Sequence, residues 1–286
     1  MDRAFGITAA IVSAVCYGAA LPLSRLAYDH GTNPLTILSL RYLAIVLVLG
    51  TWLRLRRSPF ALPARLVAAS AAVGVCFVAV SGGTLASVRF IPVNLTVVVF
   101  YTYPVMILLL DSAIGRRRPN ASESLAVALA LAGVALAMRV SFEQLDAAGI
   151  GLALLAAAGV AGSFLIANRI LPSAGTTHVT LYACGAAFLG GAALTLGFDA
   201  VALPETAFGA GLMAVIIAIF AIAVITMFIA VKSIGPVRSA TFLCLEPVTA
   251  IAVAVLALGE RLAAGQWLGV ALVGAALVIA GRRPAA

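Results

Sequence analysis

Among the residues that could do chemistry in this chain, Glu246 stands first. It sits in Leu245-Glu246-Pro247, near the centre of an apolar run over 236–257. An ionised carboxylate at mid-depth in hydrocarbon costs on the order of several kcal/mol unless it is paired, hydrated or protonated. Three roles fit it: a proton or cation site, a group that recognises a substrate ammonium, or a carboxyl capping the carbonyls freed by Pro247. Arg41, about seven residues into a run over 34–53, is the second charge and coupling candidate. It is placed to hold a substrate carboxylate, or to pair with a helix end or an acidic loop residue and so fix a bundle. Asp111 lies one turn before Arg116 and reads as half of a local interfacial ion pair.

A second constellation is aromatic. Tyr17, Phe77, Tyr101, Tyr103, Phe164 and Phe220 fall near the centres of their apolar runs, with Ser81 and Ser163 close by. Tyrosine at mid-membrane is away from its usual interfacial belt and needs a partner for its hydroxyl. Walls of such rings would accept amphipathic or aromatic solutes and attract an ammonium by cation–π contact, worth roughly 0.5 to 2 kcal/mol; ordinary bundle packing is the other reading. Tyr101 and Tyr103 are separated by about 200° around a helix, so both face one cavity only if Pro104 unwinds the turn. Tyr101 is the preferred wall residue, and Tyr103 is expected nearer a helix interface. Pro104 and Pro247 interrupt their runs, and hydrocarbon tolerates this only where neighbouring helices or a water-filled cavity take up the freed carbonyls. With Pro22, Gly82 and Gly83 they are candidate hinge or gate points.

These residues need elements to hold them at depth. The chain has 286 residues, 64% hydrophobic and 10% charged, with mean hydropathy +1.17. That is far from the roughly one-quarter charged composition of soluble domains, so an all-α integral membrane protein is expected. Ten spans are predicted, at 5–27, 34–53, 66–87, 93–113, 121–139, 148–169, 177–198, 207–230, 236–257 and 265–281. The Met-Asp-Arg start leads into a span without a small-residue cleavage site, as a retained first helix would. Cys16, Cys76, Cys184 and Cys244 all fall in spans without C-x-x-C spacing and read as small apolar residues. Asn94 and Asn168 are expected at helix ends.

The net charge of +8 does not point to nucleic acid, because the basic residues are spread over short connections. Placing both termini in the cytoplasm puts thirteen of them inside, among them Arg54, Arg56, Arg57 and Arg65, and four outside, Arg25, Arg89, Arg139 and Arg261. The chain also repeats. A shift of 143 carries Pro104 onto Pro247 and Ala86-Ser87-Val88-Arg89 onto Ile229-Ala230-Val231-Lys232, and a shift of 144 carries Gly31-Thr32 onto Gly175-Thr176. Two five-helix halves follow, 1–143 and 144–286, the second inverted because five is odd. Inverted repeats of this kind enclose a midplane site in transporters.

The ten spans, the duplicated halves, Leu245-Glu246-Pro247, Leu258-Gly259-Glu260-Arg261-Leu262 and the Gly269-Val270-Ala271-Leu272-Val273-Gly274 run together resemble the EamA-type branch of the drug/metabolite transporter superfamily. The likeness covers the whole chain. The first-half counterpart departs from the pattern, with Tyr103-Pro104 and Gly115-Arg116-Arg117 at the matching places. The resemblance implies a multi-pass carrier of the bacterial inner membrane that moves small metabolites, often amino acids and commonly outward. Exporters of the YddG type are similar in plan, and the resemblance implies that the first, third, fourth, sixth, eighth and ninth helices line the cavity. The fifth and tenth, rich in Ala, Val, Leu and Gly, read as lipid-facing or dimer-packing helices.

Enzyme readings fail on inventory. The two histidines, His30 and His178, lie in or beside loops, and there is no G-x-S-x-G elbow and no G-x-x-x-x-G-K phosphate loop. No cofactor and no metal is expected. The expected partners are a small-molecule substrate and membrane lipids, with monomer and homodimer equally open. Amino-acid export by alternating access is the leading reading, ahead of a multidrug or cation exporter and a lipid-carrier flippase.

Overall fold

The computed structural model describes residues 3–115, 118–138, 145–258 and 263–282. These residues form helices and short connections, with no strand among them. The first half holds α1 (Arg3–Tyr28), α2 (Pro34–Leu55), α3 (Ala64–Ser87), α4 (Val93–Phe100), α5 (Tyr103–Ile114) and α6 (Ala121–Ala137). The second holds α7 (Ala147–Ala174), α8 (Thr176–Gly197), α9 (Ala207–Ile234), α10 (Pro236–Leu243), α11 (Leu245–Leu258) and α12 (Ala264–Arg282). Among the described residues nine segments are long and apolar enough to cross a membrane, counting α4 with α5 and α10 with the start of α11 as one each. The 17-residue α6 is shorter, about 26 Å at 1.5 Å per residue against a hydrocarbon core of about 30 Å.

Local sequence sets the ends. Asn33, Asn120, Asp146 and Thr206 each accept a bond from a backbone N–H of the helix they precede, and Pro34 and Pro236 occupy first helical positions, where no donor is lost. Gly175 (φ 75°, ψ 155°) and Gly235 (φ 81°, ψ 168°) each close one helix and open the next in a region of backbone space that is essentially glycine's alone. The span expected to close near 169 continues to Ala174 with Pro172 in its last turn. Proline so close to the end frees only the Asn168 carbonyl, so Asn168 lies within the helix and not at its end.

The halves interlock. α1 packs along α9 and α3 along α7, while α2 meets α8 and α6 meets α12. A Cβ on Gly6 would come within 2.6 Å of Ser233 and 2.8 Å of Ile234. The residue 143 places later, Gly149, is held equally close to Phe90 and Ile91, at 2.8 and 2.9 Å. The first contact lies at the face where Arg3 donates to the Gly281 carbonyl, and the second lies at the far face. Equivalent contacts at opposite ends are the geometry of inverted halves. α6 and α12 use their small residues on each other: a Cβ on Gly133 would stand 2.7 Å from the Gly269 carbonyl. That stripe is therefore filled within the chain, as close helix approach through glycine permits.

Both proline-bearing spans are interrupted one turn ahead of the proline. The breaks are Tyr101–Thr102, between α4 and α5, and Cys244, between α10 and α11. Among the four cysteines, Cys184 and Cys244 are buried and Cys16 and Cys76 half-buried, all as free thiols. The Leu258–Leu262 motif beyond its first residue, with Arg116, Arg117, Arg139 and Arg283, lies outside the described residues.

Candidate functional site

A cavity of about 190 Å³ lies between the halves. Its wall is built from α1 (Tyr17), α2 (Arg41, Tyr42), α3 (Phe77, Val80, Ser81), both broken spans (Phe100, Tyr103, Leu243, Glu246), α7 (Val160, Ser163, Phe164) and α9 (Phe220, Val224, Met227). The interruptions matter to this geometry. An unbroken helix shows one stripe to a neighbour, whereas a break lets residues on either side of it turn to the same space.

Eight of the nine residues read from the sequence as a substrate wall stand on this cavity, as does Arg41. Tyr101 is the exception, and the preference for it over Tyr103 is reversed. With the helix interrupted at Tyr101–Thr102, Tyr103 turns to the cavity, its ring 6.4 Å from Phe164, and Tyr101 lies against the Glu246 carboxyl. Phe100, Tyr101 and Tyr103 form one cluster with ring centroids 5.3–5.6 Å apart, which straight-helix spacing could not give.

Among the described residues Arg41 makes no ion pair with an acidic loop residue. Its guanidinium carbon lies 3.9 Å from the Phe220 ring centroid and 5.2 Å from that of Tyr42. Its buried Nε has no hydrogen-bond partner. Phe220 is steadied edge-on by Tyr17 at 5.5 Å and by Tyr42 at 5.5 Å, and Tyr42 stacks on Phe77 at 6.0 Å. The Tyr17 hydroxyl donates weakly to Met227 Sδ at 3.9 Å. Ser163 is tied to its own helix by a 2.7 Å bond to the Val160 carbonyl, so it offers the cavity a lone pair and not a free donor.

Glu246 is half-buried with its open side on the cavity. α1 reaches it through Gly18, where a Cβ would run into the Glu246 carbonyl oxygen, so only glycine lets the two elements meet. No ion pair joins Arg41 to Glu246 among the described residues. The cavity therefore carries a guanidinium and a carboxyl that are not bonded to each other, the carboxyl being met by Tyr101.

The hinge candidates divide. Pro104 and Pro247 follow real interruptions. Pro22 sits within an unbroken α1, and α3 runs unbroken through Ser81-Gly82-Gly83-Thr84. Gly83 is a packing position, since its Cβ would stand 2.7 Å from the Leu152 carbonyl of α7, while Gly82 faces open space. Sequence reading missed Tyr42, Phe100, Leu243 and Gly18. Phe100 and Leu243 were findable as the residues four before each proline, and Tyr42 by depth, since it lies within two residues of the centre of its predicted span.

A family model described as the EamA-like transporter family matches the sequence twice, over residues 4–139 and 147–282. No curated protein matches the sequence. A solved crystal structure superposes on 98% of this chain and 97% of its own, with a TM-score of 0.82 at 16% identity, a likeness of fold.

Proposed function

From the premise that this chain belongs to the EamA-like transporter family, we propose that it is a secondary carrier for small zwitterionic metabolites, amino acids first among them. Transport is outward across the bacterial inner membrane, by alternate opening of the two faces, with both termini cytoplasmic. The observation that carries this reading is that Arg41 and Glu246 stand on one wall of rings without forming an ion pair with each other. A zwitterion supplies a carboxylate for the guanidinium and an ammonium for the carboxylate, and so replaces with its own charges the ion pair the cavity lacks. At about 190 Å³ the space is below the roughly 300–1,000 Å³ of drug-sized sites. That favours a small solute over a lipid headgroup with its chains.

A second reading, export of organic cations, draws on Glu246 and the aromatic walls, but leaves the Arg41 charge facing its own kind. Proteoliposomes loaded with the purified chain and given radiolabelled amino acids under an imposed pH gradient test the choice. Saturable uptake of neutral amino acids, competed by one another and not by lipophilic cations, is the expected result. Uptake of lipophilic cations that is indifferent to neutral amino acids would replace this reading with the cation exporter.

A further inference from the structure

The two interrupted spans put on the cavity wall the two residues whose main-chain carbonyls the prolines leave without a helical donor. Proline has no N–H, so Pro104 and Pro247 leave the carbonyl four residues earlier without its helical donor. Those carbonyls belong to Phe100 and Leu243, which are equivalent under the 143-residue shift. Each is the last residue of its half-helix, Val93–Phe100 and Pro236–Leu243. Carbonyls at a helix C-terminus carry the negative end of its dipole. Both residues line the cavity, and so does Glu246, three residues beyond Leu243.

We propose that the Phe100 and Leu243 carbonyls and the Glu246 carboxyl form a subsite for a primary ammonium group, and that this subsite selects substrates by how many N–H bonds they donate. The proposal rests on the zwitterion reading above and sharpens it. A primary ammonium has three donors for three acceptors, and each N-methyl group removes one. A trimethylammonium keeps its charge and its attraction to the rings but has no donor at all. Arg41, whose Nε is unpartnered, is left for the carboxylate. The walls then set size, and the two breaks set the nitrogen. The same acceptors would suit a small inorganic cation, and the experiment separates the two.

The test uses the full chain in nanodiscs, binding measured with L-leucine, N-methyl-L-leucine, N,N,N-trimethyl-L-leucine and the desamino acid 4-methylpentanoate. Affinity is expected to fall about tenfold for each N–H lost, the lower range for a hydrogen bond to a charged group. Pro104→Ala and Pro247→Ala each restore an N–H that claims the freed carbonyl. Each is expected to weaken leucine about tenfold and to leave 4-methylpentanoate unchanged. These variants should fold at least as well as the parent, because alanine is the better helix residue. Wild-type binding of leucine with a flat response across the nitrogen series, or an unchanged series in both proline variants, would overturn the subsite and leave the zwitterion reading standing. Binding that is flat across the series but requires sodium would assign the acceptors to an inorganic cation and overturn the subsite too. Failure of leucine and of its analogues to bind at all would sink both.

Discussion

Laid on one another, the two halves agree in backbone and differ in chemistry. The corner that ends α2 has Arg57 at φ 52°, with Arg57 N–H bonded to Arg54 O and Ser58 N–H to Leu53 O. The corner that ends α8 has Asp199 at φ 47°, with Asp199 N–H bonded to Leu196 O and Ala200 N–H to Thr195 O. Both are Schellman closures in the same register. Yet one carries a cation and the other an anion. The breaks before Pro104 and Pro247 also match, but Glu246 falls where the first half has Tyr103, and Arg41 where the second has Ala183 or Cys184. Duplication kept what positions the cavity, and each half then contributed one charge of its own.

The connections that follow those corners differ as well. The stretch 200–206 is fastened to the α1–α2 hairpin by Asn33 Nδ2 to Ala200 O (2.7 Å), Thr36 Oγ1 to Ala200 O (3.0 Å), Ala202 N–H to Thr36 Oγ1 (2.9 Å) and Thr32 Oγ1 to Ala202 O (3.0 Å). Glu205 N–H adds a 3.0 Å bond to the His30 carbonyl, and the His30 and Phe208 rings meet edge-on at 5.1 Å. At the opposite face the stretch 58–62 is held at the start of α8 by His178 Nε2 to Pro59 O (2.9 Å) and Tyr182 OH to Phe60 O (2.8 Å). The face carrying the Arg3–Gly281 contact has the lighter fastening.

The largest test of the comparison lies in the unmatched charges. Arg41→Gln and Glu246→Gln should each lower zwitterion counterflow by about ten- to a hundredfold, the worth of a hydrogen bond to a charged group. Tyr103→Phe, at the place that matches Glu246, should change it less than about threefold. Equal losses at both would mean the halves share the chemistry after all. The fastenings come next. By hydrogen exchange, the Ala202 and Glu205 amides should exchange slowly and the 58–62 stretch beyond Ser58 fast, and Thr36→Val should speed Ala202 by about tenfold, one bond's worth. A slower 58–62 stretch would reverse the ranking of the two faces.

Gly6→Ala and Gly149→Ala test what the halves share. Each places a methyl 2.6–2.8 Å from its neighbours, so both should lower unfolding stability, each by about 1–3 kcal/mol. A loss at one and not the other would break the equivalence. The smallest effect belongs to the corners: Arg57→Gly and Asp199→Gly relieve a left-handed non-glycine residue and should raise stability by up to about 1 kcal/mol each. Similar shifts in thermal midpoint for the two would sharpen the match.

Much of this was legible beforehand, because apolar length, prolines and basic connections are local signals. The described helix limits fall within a few residues of the predicted spans, and the largest miss, at Ala174, came from a proline one turn from a helix end. The cavity wall was legible as far as depth along a span predicts it, which found Tyr17, Phe77, Phe164 and Phe220. Depth says nothing of rotation. Tyr101 and Tyr103 were therefore ordered the wrong way round.

By itself the sequence determined a membrane-embedded helical chain made twice, with two prolines that must break their spans, because hydrophobic run length and a missing N–H are properties of the chain alone. Only the tertiary structure decided which ring meets which, that Arg41 rests on Phe220, and that Gly18 admits the Glu246 backbone. Those choices depend on the rotation and spacing of helices far apart in sequence, which side-chain volumes in three dimensions settle and no local pattern records.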